Sequence, residues 1–389
     1  MKKIVIIGAN EFQNPLIRKA KEMGYETHVF AWKDGAIGEK TADYFYPISI
    51  VEKEKILEEC KKIKPDAIAT IASDLAGITV HYLAKNSGLV CNSERNIKIS
   101  TNKYEMRKAL KEADIPTPDF YEIDADTDLE QMKKMQFPVI VKPTDRSGSR
   151  GITKLETFQG IEQAVSDAIE NSFEKKAIIE EYIDGMEYSC ECISFDGEHH
   201  FLAVTKKFTT GAPHFIETGH LEPSGLDDAI LENVKHHIFH ALNALEIRYG
   251  ASHSEFKIDQ SGNIRIIEIG ARMGGDCIGS DLVQISTGYD FLKMTIQAAS
   301  GEKPDLIRYT APRFAAVKFI FTAQDYAHLK DIQTKFPEKI YFVSEINMKT
   351  ENKIIDSSSR YGFYILTCDT MEEAIKLAGF SVDHEIIPK

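Results

Sequence analysis

The sequence predicts a mixed α/β and α+β protein, with a doubly wound parallel-sheet unit over roughly the first hundred residues and antiparallel-rich α+β segments after it. Three observations carry this. Short apolar strands alternate with helix-period segments up to about residue 100. From Pro138 the pattern changes to short strands punctuated by glycine turns. From about Ala311 the chain is strand-rich again, with a helix at Glu372–Ala378, which reads as a small α+β tail. At 389 residues, roughly two to four compact units are expected, because single cores seldom grow past roughly 250–300 residues.

Taken in order, Lys3–Asn10 reads as a buried parallel strand running into a turn, and Pro15–Met23 as a helix ended by Gly24. Glu26–Ala31 is a second strand, Glu52–Ile63 a helix and Ala67–Ile71 a further strand. A nicotinamide site fails on detail. Gly8-Ala9-Asn10-Glu11-Phe12-Gln13 lacks the second and third glycines, and no acid ends the second strand at Ala31-Trp32. Asn102–Ala113 is helical, and the stiff Ile115-Pro116-Thr117-Pro118 follows it. The strand Val139–Val141 passes through Lys142-Pro143 into Ser147-Gly148-Ser149-Arg150-Gly151. That segment is a hairpin flap and not a Walker loop, since neither Gly-Lys-Ser/Thr nor a helix follows. Ile161–Asn171 is a helix, Ile178–Ile183 a strand, and Glu187–Phe195 and Phe201–Lys207 are strands around a turn at Asp196-Gly197. Asp227–Leu245 is a long amphipathic helix.

Composition narrows the function. With 43% hydrophobic and 28% charged residues the chain is an ordinary globular one. Its formal charge of −13, without a long basic run, disfavours nucleic acid and anionic membrane surfaces as partners. An anionic substrate therefore needs a local basic pocket. The six cysteines are scattered; Cys190 and Cys192 share a strand face and read with the rest as reduced core thiols. Four apolar residues between Lys3 and Gly8 are too few for a secretory signal, and no apolar run is long enough to cross a bilayer. A cytoplasmic protein acting on small molecules is expected, with a homodimer possible.

The chemistry concentrates in Ser254–Glu268. With the turn placed at Ser261-Gly262 and Gln260 facing Asn263, counting outward sets Glu255 opposite Glu268. Cross-strand partners have Cβ atoms roughly 4.5–5.5 Å apart, so two such carboxylates must share a proton or a cation. Arg272 follows Glu268 by four residues, and Gly274-Gly275 come next. Two acids, an arginine and paired glycines suit a Mg²⁺ site handling nucleotide phosphates.

In order and spacing, Asn102-Lys103, Val141-Lys142-Pro143, Ser147–Gly151, Glu180-Glu181-Tyr182-Ile183 with Glu187, then Glu255, Glu268 and Arg272 resemble the ATP-grasp superfamily of carboxylate–amine ligases. The resemblance covers about residues 1–305. Gly250–Glu255, Glu268–Gly275 and His214–Pro223 look most like its L-amino acid (dipeptide) ligase branch, with phosphoribosylglycinamide synthetase-like and carbamoyl-phosphate synthase-like proteins as relatives.

The resemblance implies a Rossmann-like pre-ATP-grasp domain at 1–98, an ATP-grasp domain at 99–305 (subdomains 99–175 and 176–305) enclosing ATP, and a C-terminal α+β domain at 306–389. Lys103 and Lys142 would contact phosphates, with Lys142 and Arg272 catalytic. Ser147, Gly148, Ser149 and Gly151 would fold over the triphosphate. Glu180, Glu181, Tyr182 and Ile183 would meet adenine, and Glu187 the ribose. Glu255 and Glu268 would hold Mg²⁺, or Mn²⁺. Glu217, His220, His253, Arg272, Gly274 and Gly275 would face the substrates, a carboxylate (expected to be an amino acid's) and an amine. Many relatives carry Asn two positions after the second metal glutamate; this chain has Gly270, so a second metal ion would find no side-chain oxygen there. Other readings are a purine-biosynthesis ligase of the phosphoribosylglycinamide synthetase type and a non-catalytic ATP-binding module.

Overall fold

A computed structural model describes residues 1–148, 150–212, 215–348, 354 and 356–381. Ser149, of the expected flap, lies outside the described residues. The first sheet is parallel and comprises β1 (Lys3–Ile7), β2 (Glu26–Phe30), β3 (Tyr44–Tyr46) and β4 (Ala67–Ala69), in the order β3-β2-β1-β4. Ile4 to Ile7 are all fully buried, as a continuous apolar run must be when both sheet faces are covered. The helix Asp74–Ser87 starts at the β4 end of this sheet, capped by the Ser73 hydroxyl, which accepts from the Ala76 N–H.

A second, antiparallel sheet holds β5 (Phe120–Ile123), β6 (Val139–Pro143), β7 (Thr153–Leu155) and β8 (Ala177–Glu181), in the order β5-β8-β6-β7. Ile161, Ala164, Val165 and Ala168 of the helix Ile161–Asn171 recur at helical spacing and bury against Val139, Val141 and Ile179.

The largest sheet has eight strands: β9 (Met186–Phe195), β10 (Glu198–Thr209), β11 (Glu217–Glu222), β12 (Gly250–Ile258), β13 (Ile264–Gly270), β14 (Phe314–Ile320), β15 (Ile340–Val343) and β16 (Gly362–Cys368). Their order is β13-β12-β9-β10-β11-β14-β16-β15, so the α+β C-terminal segment extends the sheet of the segment before it. The helix Lys103–Glu112 packs Met106 and Leu110 against Ile266 and Ile269 of β13, which brings Lys103 and Arg107 to this sheet.

One local expectation is corrected. The β12–β13 turn does not oppose Gln260 to Asn263; the Asp259 N–H donates to the Asn263 carbonyl (3.1 Å), and Ile258 pairs with Ile264. The Asp259 carboxylate accepts from the Ser261 and Asn263 N–H groups (2.8 and 2.9 Å), which draws the turn one residue earlier. A bulge at Ile267, between the pairs Phe256–Ile266 and Glu255–Glu268, then restores the count. Glu255 does face Glu268, through two offsets that cancel.

Candidate active site

The acidic pair sits on adjacent strands, yet the two carboxylates neither share a proton nor close on each other. Each has its own lysine. Glu268 accepts from Lys103 Nζ at 2.9 Å, and Glu255 from Lys207 Nζ at 2.6 Å. Burial alone would raise the Glu255 carboxyl, but Lys207 and the His253 ring outweigh it and hold it well below the usual carboxylate range. Among the described residues no cluster of three acids, histidines or cysteines forms an all-protein metal cage. Two carboxylates fit Mg²⁺ nonetheless, because that ion is usually bound through one or two carboxylates together with phosphate oxygens and water.

Gly270 has a packing reason. A Cβ there would lie 3.0 Å from Asp74 Oδ1 and 3.2 Å from Arg272 Cζ. Asp74, which sequence reasoning did not single out, also lies at this site. It takes the Arg272 guanidinium through both ends, Nε to Oδ1 at 2.8 Å and NH2 to Oδ2 at 3.0 Å. Burial would raise the Asp74 carboxyl, but Arg272 brings it below its ordinary value.

Lys142 is buried beside β8, its ammonium in contact with Glu180 Oε1, while Arg107 Nε donates to Glu180 Oε2 at 2.9 Å. The same arginine donates from NH2 to the carbonyl of bulged Ile267 at 2.6 Å, tying the Lys142–Glu180 pair to the strand that carries Glu268. Against the cost of burial, Arg107 and Lys142 lower the Glu180 carboxyl to about 2. Burial is the largest influence on Lys142 and lowers its pKa. Lys103 also donates to the Arg146 carbonyl at 2.7 Å, which anchors the start of the flap. Arg146 covers the Phe173 ring at 4.4 Å, and Ser147 and Gly148 are exposed beyond it. Gly148 and Gly151 take positive φ values of 74° and 68°, which glycine adopts without strain.

The expected adenine strand is narrower than anticipated. The N–H groups of Glu181 and Tyr182 donate to the carbonyls of Asp119 (2.9 Å) and Pro138 (3.0 Å), and the Glu180 side chain is committed to its ion pairs. Lys257 donates to the Ile183 carbonyl at 3.1 Å and lies 4.8 Å from the centre of the Tyr182 ring.

Three of the residues expected to face substrates are packed against protein neighbours. His253 has both ring nitrogens engaged, Nδ1 with Glu191 and Nε2 with Glu255 at 3.3 Å, so it braces Glu255. Burial opposes charging the ring, but Glu191 and Glu255 lift it to about 9. Gly274 gives its N–H to Glu191 Oε2 (3.0 Å), and a Cβ there would strike Glu191 Oε1 and His253 Nδ1, both at 2.7 Å. Its role is close packing. Gly275 packs on Ala72, where a Cβ would come within 3.3 Å of the alanine's own Cβ.

Glu217 and His220 do meet, in a group the sequence did not disclose. Arg360 grips Asp276 through both terminal nitrogens (2.8 and 2.9 Å), lies 3.5 Å from Glu217 and covers the Phe319 ring at 3.5 Å. His220 Nε2 is 3.5 Å from Asp276, and burial lowers its pKa. Lys207 joins this group to the rest, with Nζ 3.0 Å from Glu187 and 3.7 Å from Glu217. Lys207 left one usable signal, a charged residue inside a strand run, and Arg360, which precedes its strand, left none. Asp74, Arg107 and Asp276 left none.

Residues 135–281 match a family model described as ATP-grasp domain. Over 229 residues the chain is 27% identical to a formate-dependent phosphoribosylglycinamide formyltransferase of Prochlorococcus marinus (strain MIT 9515). That match covers 58% of this chain and 56% of the relative, so the chain spans little more than half of that protein's length. An L-amino acid ligase from Bacillus licheniformis superposes with a TM-score of 0.82 at 22% identity, covering 97% of this chain and 96% of the other. A phosphoribosylglycinamide synthetase from Anaerococcus prevotii does so at 0.75 and 20%, covering 98% of each chain. At these identities the structural likeness establishes the fold.

Proposed function

We propose that this chain, which carries an ATP-grasp domain, is an ATP-dependent ligase joining a carboxylate, taken to be an amino acid's, to an amine. Its cofactors are ATP and Mg²⁺, with the nucleotide held between segments 99–175 and 176–305. The observation that carries the reading is a cluster of four cations around the facing Glu255–Glu268 pair, with Lys103 on Glu268, Lys207 on Glu255, Lys142 on the buried Glu180 and Arg272 on Asp74. Phosphoryl transfer asks a protein mainly for positioning and charge neutralisation, and this is such an arrangement. Mg²⁺ held by Glu255 and Glu268 would supply charge neutralisation on the triphosphate.

A carboxylate oxygen attacks the γ-phosphorus, the bond to the β-γ bridging oxygen breaks, and ADP leaves. The amine nitrogen then attacks the acyl carbon, the bond from that carbon to the phosphate oxygen breaks, and inorganic phosphate departs as nitrogen loses its proton. Lys103 and Lys142 would hold the phosphates. Arg272, oriented by Asp74, would face the charge that develops on the transferring group. The flap around Ser147–Gly151 would exclude water from the acyl phosphate.

The test is ADP formation from MgATP across pairs of amino acids, with product masses measured. Glu268→Gln should abolish amino-acid-dependent ADP release while the circular dichroism spectrum remains that of the folded protein. Retained turnover would refute the metal assignment. The sequence match to the formyltransferase favours a second reading, a purine-pathway ligase acting on a ribosyl phosphate. Against it, the substrate-side cation Arg360 is already closed on Asp276, with Glu217 beside it. Phosphoribosylglycinamide offered in place of the amino acids discriminates the two.

A further inference from the structure

Four neighbouring strands of the large sheet, in the order β12-β9-β10-β11, bring Glu255, Glu187, Lys207 and Glu217 together. The lysine side chain is 3% exposed and its ammonium lies 2.6, 3.0 and 3.7 Å from the three carboxylates. A buried ammonium needs such company, since desolvating it unpaired would cost several kcal/mol. Yet Glu255 Oε1, the atom nearest Lys207, belongs to one of the two side chains a divalent cation would use. Oε1 also accepts from His253 Nε2 at 3.3 Å, so its coordination is already crowded. Two cations at contact distance on one buried oxygen repel strongly.

We infer that Lys207 competes with the divalent cation for Glu255, and that the displaced ammonium moves along the acidic row toward Glu217, on the substrate side. The inference rests on the proposed metal role of Glu255 and Glu268. The unbranched lysine stem permits the move, and Glu217, the most distant of its three partners, is placed to receive the ammonium. The affinity for metal is then set partly by a residue that does not ligate it. Glu217, which touches neither metal-side carboxylate directly, becomes coupled to the metal through Lys207.

The experiment is Mn²⁺ binding, followed by electron paramagnetic resonance, to the full chain saturated with a non-hydrolysable ATP analogue. Lys207→Met should tighten Mn²⁺ binding by on the order of tenfold, because the competitor is gone. Glu217→Gln should weaken it severalfold in the natural background and have no effect in the Lys207→Met background. A plain through-space charge effect of Glu217 would persist in both. Unchanged or weaker Mn²⁺ binding in a folded Lys207→Met protein overturns the inference, as does a Glu217→Gln effect of equal size in both backgrounds. Should Lys207→Met fail to fold, Lys207→Gln takes its place in the two-background comparison, and an unaltered Mn²⁺ affinity in Glu217→Gln refutes the coupling in either case. Glu255→Gln separates this inference from its premise. If that variant binds Mn²⁺ like the natural protein, it is the metal site that has failed and not the competition.

Discussion

At the scale of single residues, the site is a set of charges taken out of water and made tolerable by one another. Glu180 shows it best, buried with Arg107 on one carboxylate oxygen and Lys142 on the other. Breaking such a group by removing one member costs about 3–5 kcal/mol, because the remaining charges stay buried and uncompensated. Glu180→Gln should therefore lower the urea midpoint at neutral pH by that equivalent. Glu180 has its folded pKa near 2, below the ordinary 4.5, so its contribution is full above about 4.5 and disappears as the pH falls through about 2. Melts of the natural and Glu180→Gln proteins should accordingly converge in acid. Curves that stay parallel from pH 7 to 2 would show that the Glu180 carboxylate is not stabilised by its partners. None of this was legible in the sequence, where Glu180 is expected only to meet adenine and nothing singles out Arg107.

At the scale of elements, the β12–β13 hairpin teaches how a correct pairing can rest on an incorrect path. Strand count and turn residues placed Glu255 opposite Glu268, but Asp259 pulls the turn one residue earlier and Ile267 bulges to compensate. The bulge is put to use, since its carbonyl accepts from Arg107. A bulge has no dependable sequence signal; it reflects which carbonyl a distant donor needs. β10 has the same property, with its register against β9 shifting between Phe201 and Ala203 before Lys207 is reached. Counting from the Asp196-Gly197 turn therefore misplaces Lys207. Gly274 makes a test at this scale. Gly274→Ala should destabilise by about 1–3 kcal/mol, as overpacking does, seen as a lower urea midpoint at constant slope, because the added methyl meets Glu191 and His253. An unchanged midpoint would mean the turn yields more easily than its contacts suggest.

At the scale of the whole molecule, Arg272 is held by a residue 198 positions away in the chain. Asp74 opens a helix of the N-terminal parallel-sheet unit, so that unit contributes directly to orienting Arg272. Asp74→Ala should depress kcat by as much as about a hundredfold, since small misplacements of a positioned group are that costly, with affinity for the nucleotide analogue kept within about twofold. A parallel loss of nucleotide affinity would show instead that Asp74 supports the nucleotide cleft. Arg360 plays the matching part from the other end of the chain, carrying the C-terminal segment to Asp276 and Glu217.

The sequence by itself determined the α/β beginning, the strand-and-glycine pattern that follows, and the ordered series Lys103, Lys142, Glu255, Glu268, Arg272. Each of these is written locally, in apolar period, turn residues and spacing. Only the tertiary structure decided who partners whom: Asp74 with Arg272, Arg107 with Glu180, Lys207 among three glutamates, and Arg360 with Asp276. Those pairings join segments far apart in the chain, and a buried charge chooses its partner by distance through space.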